Sequence, residues 1–284
     1  MVPTITLPDG TPLPALGAGT WNMGDTPARR EEEIASLRYA VEQGIQVVDT
    51  AEMYGNGRSE KLVGEAIAPL REQVFLVSKV LPGNASAQGV AQSCRRSLTH
   101  LGTDRLDLYL LHWRGSVPLA ETVEAFRTLQ REGLIRYWGV SNFDTDDMRD
   151  LEGCSGPGEC AANQVLYSLE HRGVEYDLLQ ADRQRKVVTM AYSPIGQGGA
   201  LLAHPALARV AARHTTSLGA ATPAQVALAW VLRQPNVLAI PKAGSPEHMR
   251  LNVAVADLRL EPQDLAELDA AFAPPASKEP LAMI

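Results

Sequence analysis

The sequence predicts an α/β protein, a (β/α)8 TIM barrel preceded by a short N-terminal β-hairpin. Three observations predict it. Short apolar, β-rich runs alternate with helical patterns along most of the 284 residues. Successive runs start about 25 to 32 residues apart, enough for a strand and a crossover helix. The runs are nearly continuous in apolar residues, as strands covered on both faces are, and eight such units favour a closed barrel over an open sheet.

The elements follow in order. "TITLPDGTPLP" reads as a hairpin over about residues 4–13, turning at Asp9-Gly10. "LPALGAGTW" near 13 is the first and weakest barrel strand. Ile34, Leu37 and Val41 then recur at helical spacing, and Gly44 stops that helix. The strands "IQVVD" near 45, "VFLVSK" near 74 and "LDLYLLH" near 106 follow. Leu119, Val123 and Phe126 mark another helix, stopped at Gly133, before "IRYWGVSN" near 135. Asp144, Asp146 and Asp147 form the charged first turn of the next helix. "GCSGPGEC" is a loop, and "AANQVLY" near 161 and "KVVTMAY" near 186 are strands. A longer gap holds "LLAHPALARVAARH" and a helix from Thr222, with Thr222 as N-cap and Pro223 at its first position. "NVLAIPK" near 236 is the last strand, and about 273–284 form an irregular tail. Nothing resembles a linker, so residues 1–284 are expected to form one domain.

Composition narrows the function. The chain is 45% apolar and 21% charged with a net charge of −7, which suits a globular protein and argues against a polyanionic partner. No Lys/Arg cluster marks a nucleic-acid footprint. No secretory signal opens "MVPTITLPDG", and no apolar run is long enough to span a bilayer, so a cytoplasmic, membrane-independent protein is expected. The cysteines, Cys94, Cys154 and Cys160, lack CxxC spacing and are expected as free thiols. The histidines, His100, His112, His171, His204, His214 and His248, show no metal-ligand spacing, so no metal is expected. No GxGxxG fingerprint is present either, because Glu60 stands where a third glycine would follow Gly55-Asn56-Gly57.

Polar residues collect at the C-terminal ends of the expected strands: Asp49, Lys79, His112, Ser141 with Asn142, Gln164, Tyr192 and Lys242. Each alone has a structural explanation, Asp49 as a helix cap, for example, or His112 as a core histidine. A barrel, however, brings all of them to its catalytic face. Tyr54, in the loop after Asp49, joins them. A phenol has a pKa near 10, and an ammonium beside it favours the phenolate, by ~4 kcal/mol at ~4 Å and a dielectric of ~20. The expectation is therefore that Lys79 lowers the Tyr54 pKa, that Asp49 keeps Lys79 charged, and that His112 donates a hydrogen bond to a carbonyl oxygen. The set forms a general-acid device aimed at a carbonyl, and it lacks only a reductant. A hydrolase with paired carboxylates fits poorly, because these strand ends carry no acid besides Asp49.

The segments "GAGTWNMG", "VVDTAEMYGNGRSEKLVGEAI", "LVSKV", "LYLLHW", "GVSNF", "NQVLYS", "AYSPIGQGG" and "IPKAGSPEHMRLN" occur in an order and spacing that resembles the aldo-keto reductases, closest to bacterial members, over about residues 4–270. The resemblance implies a (β/α)8 barrel that reduces aldehydes or ketones with NADPH and without metal, as a monomer by the family's default. It implies Tyr54 as general acid, Asp49 and Lys79 as the pair that tunes it, and His112 as the group orienting the carbonyl. Ser141, Asn142 and Gln164 resemble the residues that hold the nicotinamide carboxamide, and Tyr192 the ring that stacks on it, with Ser193 and Ile195 beside it. Thr20, Trp21 and Asp49 line the cofactor side. Trp21 and Trp113, with Tyr54 and His112, line the substrate side. At the coenzyme tail Lys242 is kept, but Ala243 follows it, His248 replaces a common arginine and Leu251 a common glutamate. Ser245, Arg250 and Asn252 are the remaining candidates there, and NADPH is the expected coenzyme with NADH use left open. Relatives of this fold that bind nicotinamide as non-catalytic regulatory subunits supply the rival reading.

Overall fold

The computed structural model describes residues 3–284. It opens on the expected hairpin, β1 (Thr4–Thr6) antiparallel to β2 (Pro12–Pro14). The Asp9 carboxylate accepts from the Thr11 amide at 2.9 Å, and Gly10 turns the chain at φ 89°. Barrel strands and helices then alternate: β3 (Ala18–Gly19), α1 (Arg30–Glu42), β4 (Val47–Asp49), α2 (Arg58–Ile67), β5 (Phe75–Val80), α3 (Ala87–Leu101), β6 (Leu106–Leu111) and α4 (Leu119–Arg131). The second half continues with β7 (Ile135–Ser141), α5 (Thr145–Glu152), β8 (Cys160–Leu166), α6 (Leu178–Gln184), β9 (Val188–Tyr192) and α7 (Pro205–Ala211). A small hairpin, β10 (Thr215–Thr216) with β11 (Gly219–Ala220), precedes α8 (Pro223–Leu232), β12 (Val237–Ala239), α9 (Pro246–Val253) and α10 (Pro262–Ala271).

The eight strands from β3 to β9 and β12 pair in parallel, in the order of the chain. The ladder closes on itself where β12 meets β3. Gly17 N donates to Ala239 O and Ala239 N to Ala15 O, both at 2.8 Å, and Gly19 N donates to Pro241 O at 3.1 Å. A β-carbon on Gly19 would lie 2.6 Å from the Ile240 carbonyl oxygen, so this seam needs glycine there. The barrel is therefore the expected one, and buried apolar residues from Ile5 to Leu268 form one hydrophobic cluster around it.

Local signals set the helix ends. Asp144 caps α5 and Thr222 caps α8, each in a reciprocal capping box, and such caps typically contribute about 1 kcal/mol. The hairpin settles at the N-terminal end of the barrel. Ile5, Leu7 and Leu13 are buried, and Tyr137 and Arg136, early in β7, bond to Asp9 and Thr11. That leaves the C-terminal ends of the strands open. All three cysteines are free thiols, and no helix among the described residues is long and apolar enough to cross a membrane.

Candidate active site

Each polar residue picked at a strand end stands at the open face. Asp49 ends β4, Lys79 is the penultimate residue of β5, His112 follows β6, Ser141 ends β7 and Tyr192 ends β9. Gln164 lies two residues before the end of β8. Lys242 lies past β12 and pairs with Gly19 across the seam.

Lys79 is the centre of the site. It is fully buried, and its ammonium uses all three donors: to Asp49 Oδ2 at 2.7 Å, to the Thr50 carbonyl at 2.8 Å and to the Tyr54 hydroxyl at 3.2 Å. The other oxygen of Asp49 accepts from Gln164 Nε2 at 2.8 Å. Burial works to discharge the lysine, but the charge of Asp49 and the hydrogen bonds to Asp49 and Tyr54 win, and its pKa rises above the ordinary value. Asp49 therefore holds Lys79 charged, as its place in the sequence implies.

At Tyr54 Lys79 pulls the pKa down as expected, but the net shift is upward. Burial acts most strongly on its phenol and raises the pKa above 10.0, Lys79 pulls it down, and Asp49 pushes it up again. Lys79 moderates the rise without reversing it, because desolvation of the buried phenol is the larger effect. The phenol is thus a firmly protonated donor at neutral pH.

His112 faces Tyr54 edge-on, with ring centroids 5.9 Å apart. Burial, helped by Lys79, lowers its pKa to about 3, so the imidazole is neutral, and its buried Nδ1 has no hydrogen-bond partner among the described residues. Asn142 Nδ2 donates to the His112 carbonyl at 3.1 Å, and the Tyr192 hydroxyl donates to Asn142 Oδ1 at 3.0 Å. Ser141 Oγ donates to the Gln164 carbonyl at 2.8 Å. These bonds tie β6, β7, β8 and β9 into one rim. Asn142 and Ser193 take φ 60° and 47°, left-handed values that non-glycine residues adopt mainly at turns and functional sites.

The loop after Tyr54 is held tightly. Gly55, Asn56 and Gly57 all have positive φ, and a β-carbon on Gly57 would lie 2.4 Å from the His100 ring. Buried Glu60 takes Ser78 Oγ at 2.8 Å and His100 Nδ1 at 3.0 Å, and buried Glu52 receives Leu81 N and Asn84 Nδ2. Thr20 Oγ1 donates to the Asp49 carbonyl at 2.9 Å. Glu52 stands two residues before Tyr54 in "DTAEMY", and its carboxylate ties this loop to the one after β5.

Apolar surface rims the opening. Trp21 and Met53 are exposed, and Trp113 leans on His112 with centroids 5.0 Å apart. Ser193 and Ile195 follow β9 on the same rim, and the main chain of Ile284 reaches the Tyr192 hydroxyl, so the irregular tail crosses this face. Lys242, Ser245, Arg250 and Asn252 form a separate group around α9. Ser245 is its N-cap, accepting from His248 N at 3.3 Å, Asn252 is buried, and the Arg250 guanidinium lies 5.4 Å from the centre of the Tyr39 ring.

Comparison with known proteins adds a second line. The family model described as Aldo/keto reductase family matches residues 15–273. Over 276 residues the chain is 48% identical to methylglyoxal reductase YeaE of Escherichia coli, covering 96% of this chain and 95% of that protein. It is 35% identical over 276 residues to an aldo-keto reductase of Mycobacterium avium, covering 94% and 89% respectively. An aldo/keto reductase of Klebsiella pneumoniae, solved in complex with NADP and acetate, superposes with a TM-score of 0.94 at 47% identity over 100% of both chains.

Proposed function

Given that the chain belongs to the aldo/keto reductase family, we propose that it reduces an aldehyde or ketone to an alcohol with NADPH, Tyr54 acting as proton donor. The observation that carries this reading is the buried chain Asp49–Lys79–Tyr54, in which an ammonium with every donor engaged holds a protonated phenol at the barrel mouth. The donor set suits the coenzyme: amide and hydroxyl groups of Ser141, Asn142 and Gln164 beside the Tyr192 ring at one end, cationic Lys242 and the N-terminus of α9 at the other. When bound, NADPH supplies a hydride to the carbonyl carbon. Thr20, Trp21, Ser193, Ile195 and Asn252 complete its walls in this reading.

The protein's own part is to hold the carbonyl oxygen and protonate it. His112, neutral above pH about 3, orients the oxygen by hydrogen bonding without adding a charge. The Tyr54 O–H bond breaks as the alcohol O–H forms, and the nascent phenolate is stabilised by the Lys79 ammonium 3.2 Å away. Trp113, packed on His112, and the exposed Trp21 supply an apolar wall for the substrate. The chain acts as a single-domain enzyme. Because its Escherichia coli relative is named a methylglyoxal reductase, small 2-oxoaldehydes are the first substrates to try. The test is NADPH oxidation, followed by absorbance, with a panel of aldehydes, ketones and methylglyoxal. Turnover is expected with some of them. Tight NADPH binding with no turnover on any would favour the non-catalytic binding subunit instead.

A further inference from the structure

We infer that Arg29, in the turn that leads into α1, is a coenzyme-specificity residue that grips a phosphomonoester on the adenosine ribose together with Lys242 and Ser245. The inference rests on the NADPH reading above and names the group that would set its preference over NADH. A β-carbon built on Gly244 would lie 2.9 Å from Arg29 Nη2 and 3.0 Å from Lys242 Nζ, so two cations from distant parts of the chain crowd one point. That point immediately precedes Ser245, the N-cap of α9, and the positive end of that helix favours an anion.

The cations have little else to answer them. Among the described residues Lys242 makes no ion pair, and Arg29 makes one long contact, from Nε to Glu32 at 3.5 Å with both side chains about half exposed. Glu33 is turned away, accepting from Gly24 N at 2.9 Å. Two like charges brought to one point attract an anion between them.

The geometry is fixed rather than incidental. Pro27 starts the turn that carries Arg29, and the Arg29 amide donates to the Thr26 carbonyl at 3.0 Å. Ser36, on the same α1, donates to the Ala243 carbonyl at 2.7 Å and to the Ser245 carbonyl at 3.1 Å. Helix α1 therefore holds both the guanidinium and the loop it faces. Arg250, the nearer choice in sequence, instead lies over Tyr39. A guanidinium presents two parallel donors to a phosphate, so Arg29 supplies the fork and Lys242 a point charge.

The experiment measures dissociation constants of NADPH and NADH for the intact protein by quenching of its intrinsic fluorescence, in wild type and in Arg29→Leu. NADPH binding should weaken roughly 10- to 100-fold in the variant, as loss of a charge-assisted pair implies, while NADH binding changes by less than about threefold. Arg250→Ala should weaken NADPH less than Arg29→Leu does. Undiminished NADPH affinity in Arg29→Leu, equal losses for both coenzymes, or a larger loss in Arg250→Ala would each overturn the assignment. Wild-type protein that binds neither coenzyme would overturn the NADPH reading, and this assignment with it.

Discussion

Tyr54 and His112 differ from free tyrosine and histidine mainly because they are buried, and that gives the site a pH signature. The Tyr54 phenol titrates above its ordinary 10.0 and His112 near 3, so neither changes charge around neutrality. A general acid works in its protonated form and loses activity as pH rises through its pKa. The kcat/KM for carbonyl reduction should therefore stay flat from about pH 6 to 9 and fall only above about pH 10. A profile with a limb near pH 6.5 that disappears when His112 is replaced would show that the imidazole titrates after all. Lys79 allows a second test. Lys79→Met leaves the Asp49 carboxylate buried with only Gln164 Nε2 as a polar side-chain partner, and should cost about 3–5 kcal/mol in urea unfolding. Asp49→Asn/Lys79→Met should cost less than Lys79→Met alone, because no unpaired charge remains. A double variant less stable than the single one would contradict the ion-pair account. The sequence disclosed which residues meet here, since acid, lysine and histidine each sit at a strand end. It did not disclose the sign of the Tyr54 shift, which depends on how far burial outweighs the pull of the Lys79 ammonium.

At the scale of elements, α6 is fastened to β8 and β9 by a buried acid outside the active site. Asp182 Oδ2 accepts from Thr189 Oγ1 at 3.1 Å and from Asn163 Nδ2 at 3.4 Å, while its Oδ1 has no partner among the described residues. Burial pushes its pKa up to about 7, against those bonds and the charge of Arg185. The folded value exceeds the unfolded one, so between about pH 4 and 7 the unfolded chain releases a proton that the native state keeps. Stability is then lost as pH rises through that window. Asp182→Asn, which cannot ionise, should gain on wild type by about 3–4 kcal/mol between pH 4 and pH 8 in urea unfolding. An unchanged difference between the two pH values would mean that Asp182 is ionised in the native state. Other elements were legible where local chemistry set them: the Asp9-Gly10 turn, the Thr222 cap and the aspartates opening α5 all stand as their residues imply. The β10–β11 hairpin was not, because two-residue strands leave no alternation to read.

Over the whole molecule, the barrel could be read because its repeat is long and regular, and because burial on both faces makes the strands apolar throughout. Its closure was harder to see. The strand that shuts it, β3, has two residues, and the seam depends on close backbone approach at Gly17 and Gly19 rather than on a hydrophobic run. The tail gave no periodic pattern, yet it is fastened: Lys278 pairs with Asp146 and Asp177, and Leu281 packs on the core. Contacts of this kind join positions far apart in the chain, as do those that bring Arg29 to Lys242, and spacing within a motif does not reveal them. Asp49 and Tyr54 come from one βα unit and Lys79 and His112 from the next two, while the bond from Gln164 on β8 to Asp49 on β4 crosses the closed barrel. The most direct test is the turnover of Tyr54→Phe with NADPH and a carbonyl substrate of the wild type, measured beside its affinity for NADPH. The variant should bind the coenzyme as wild type does and lose at least about 10²-fold in kcat. Wild-type kcat in Tyr54→Phe would contradict the account, since the proton would then come from elsewhere.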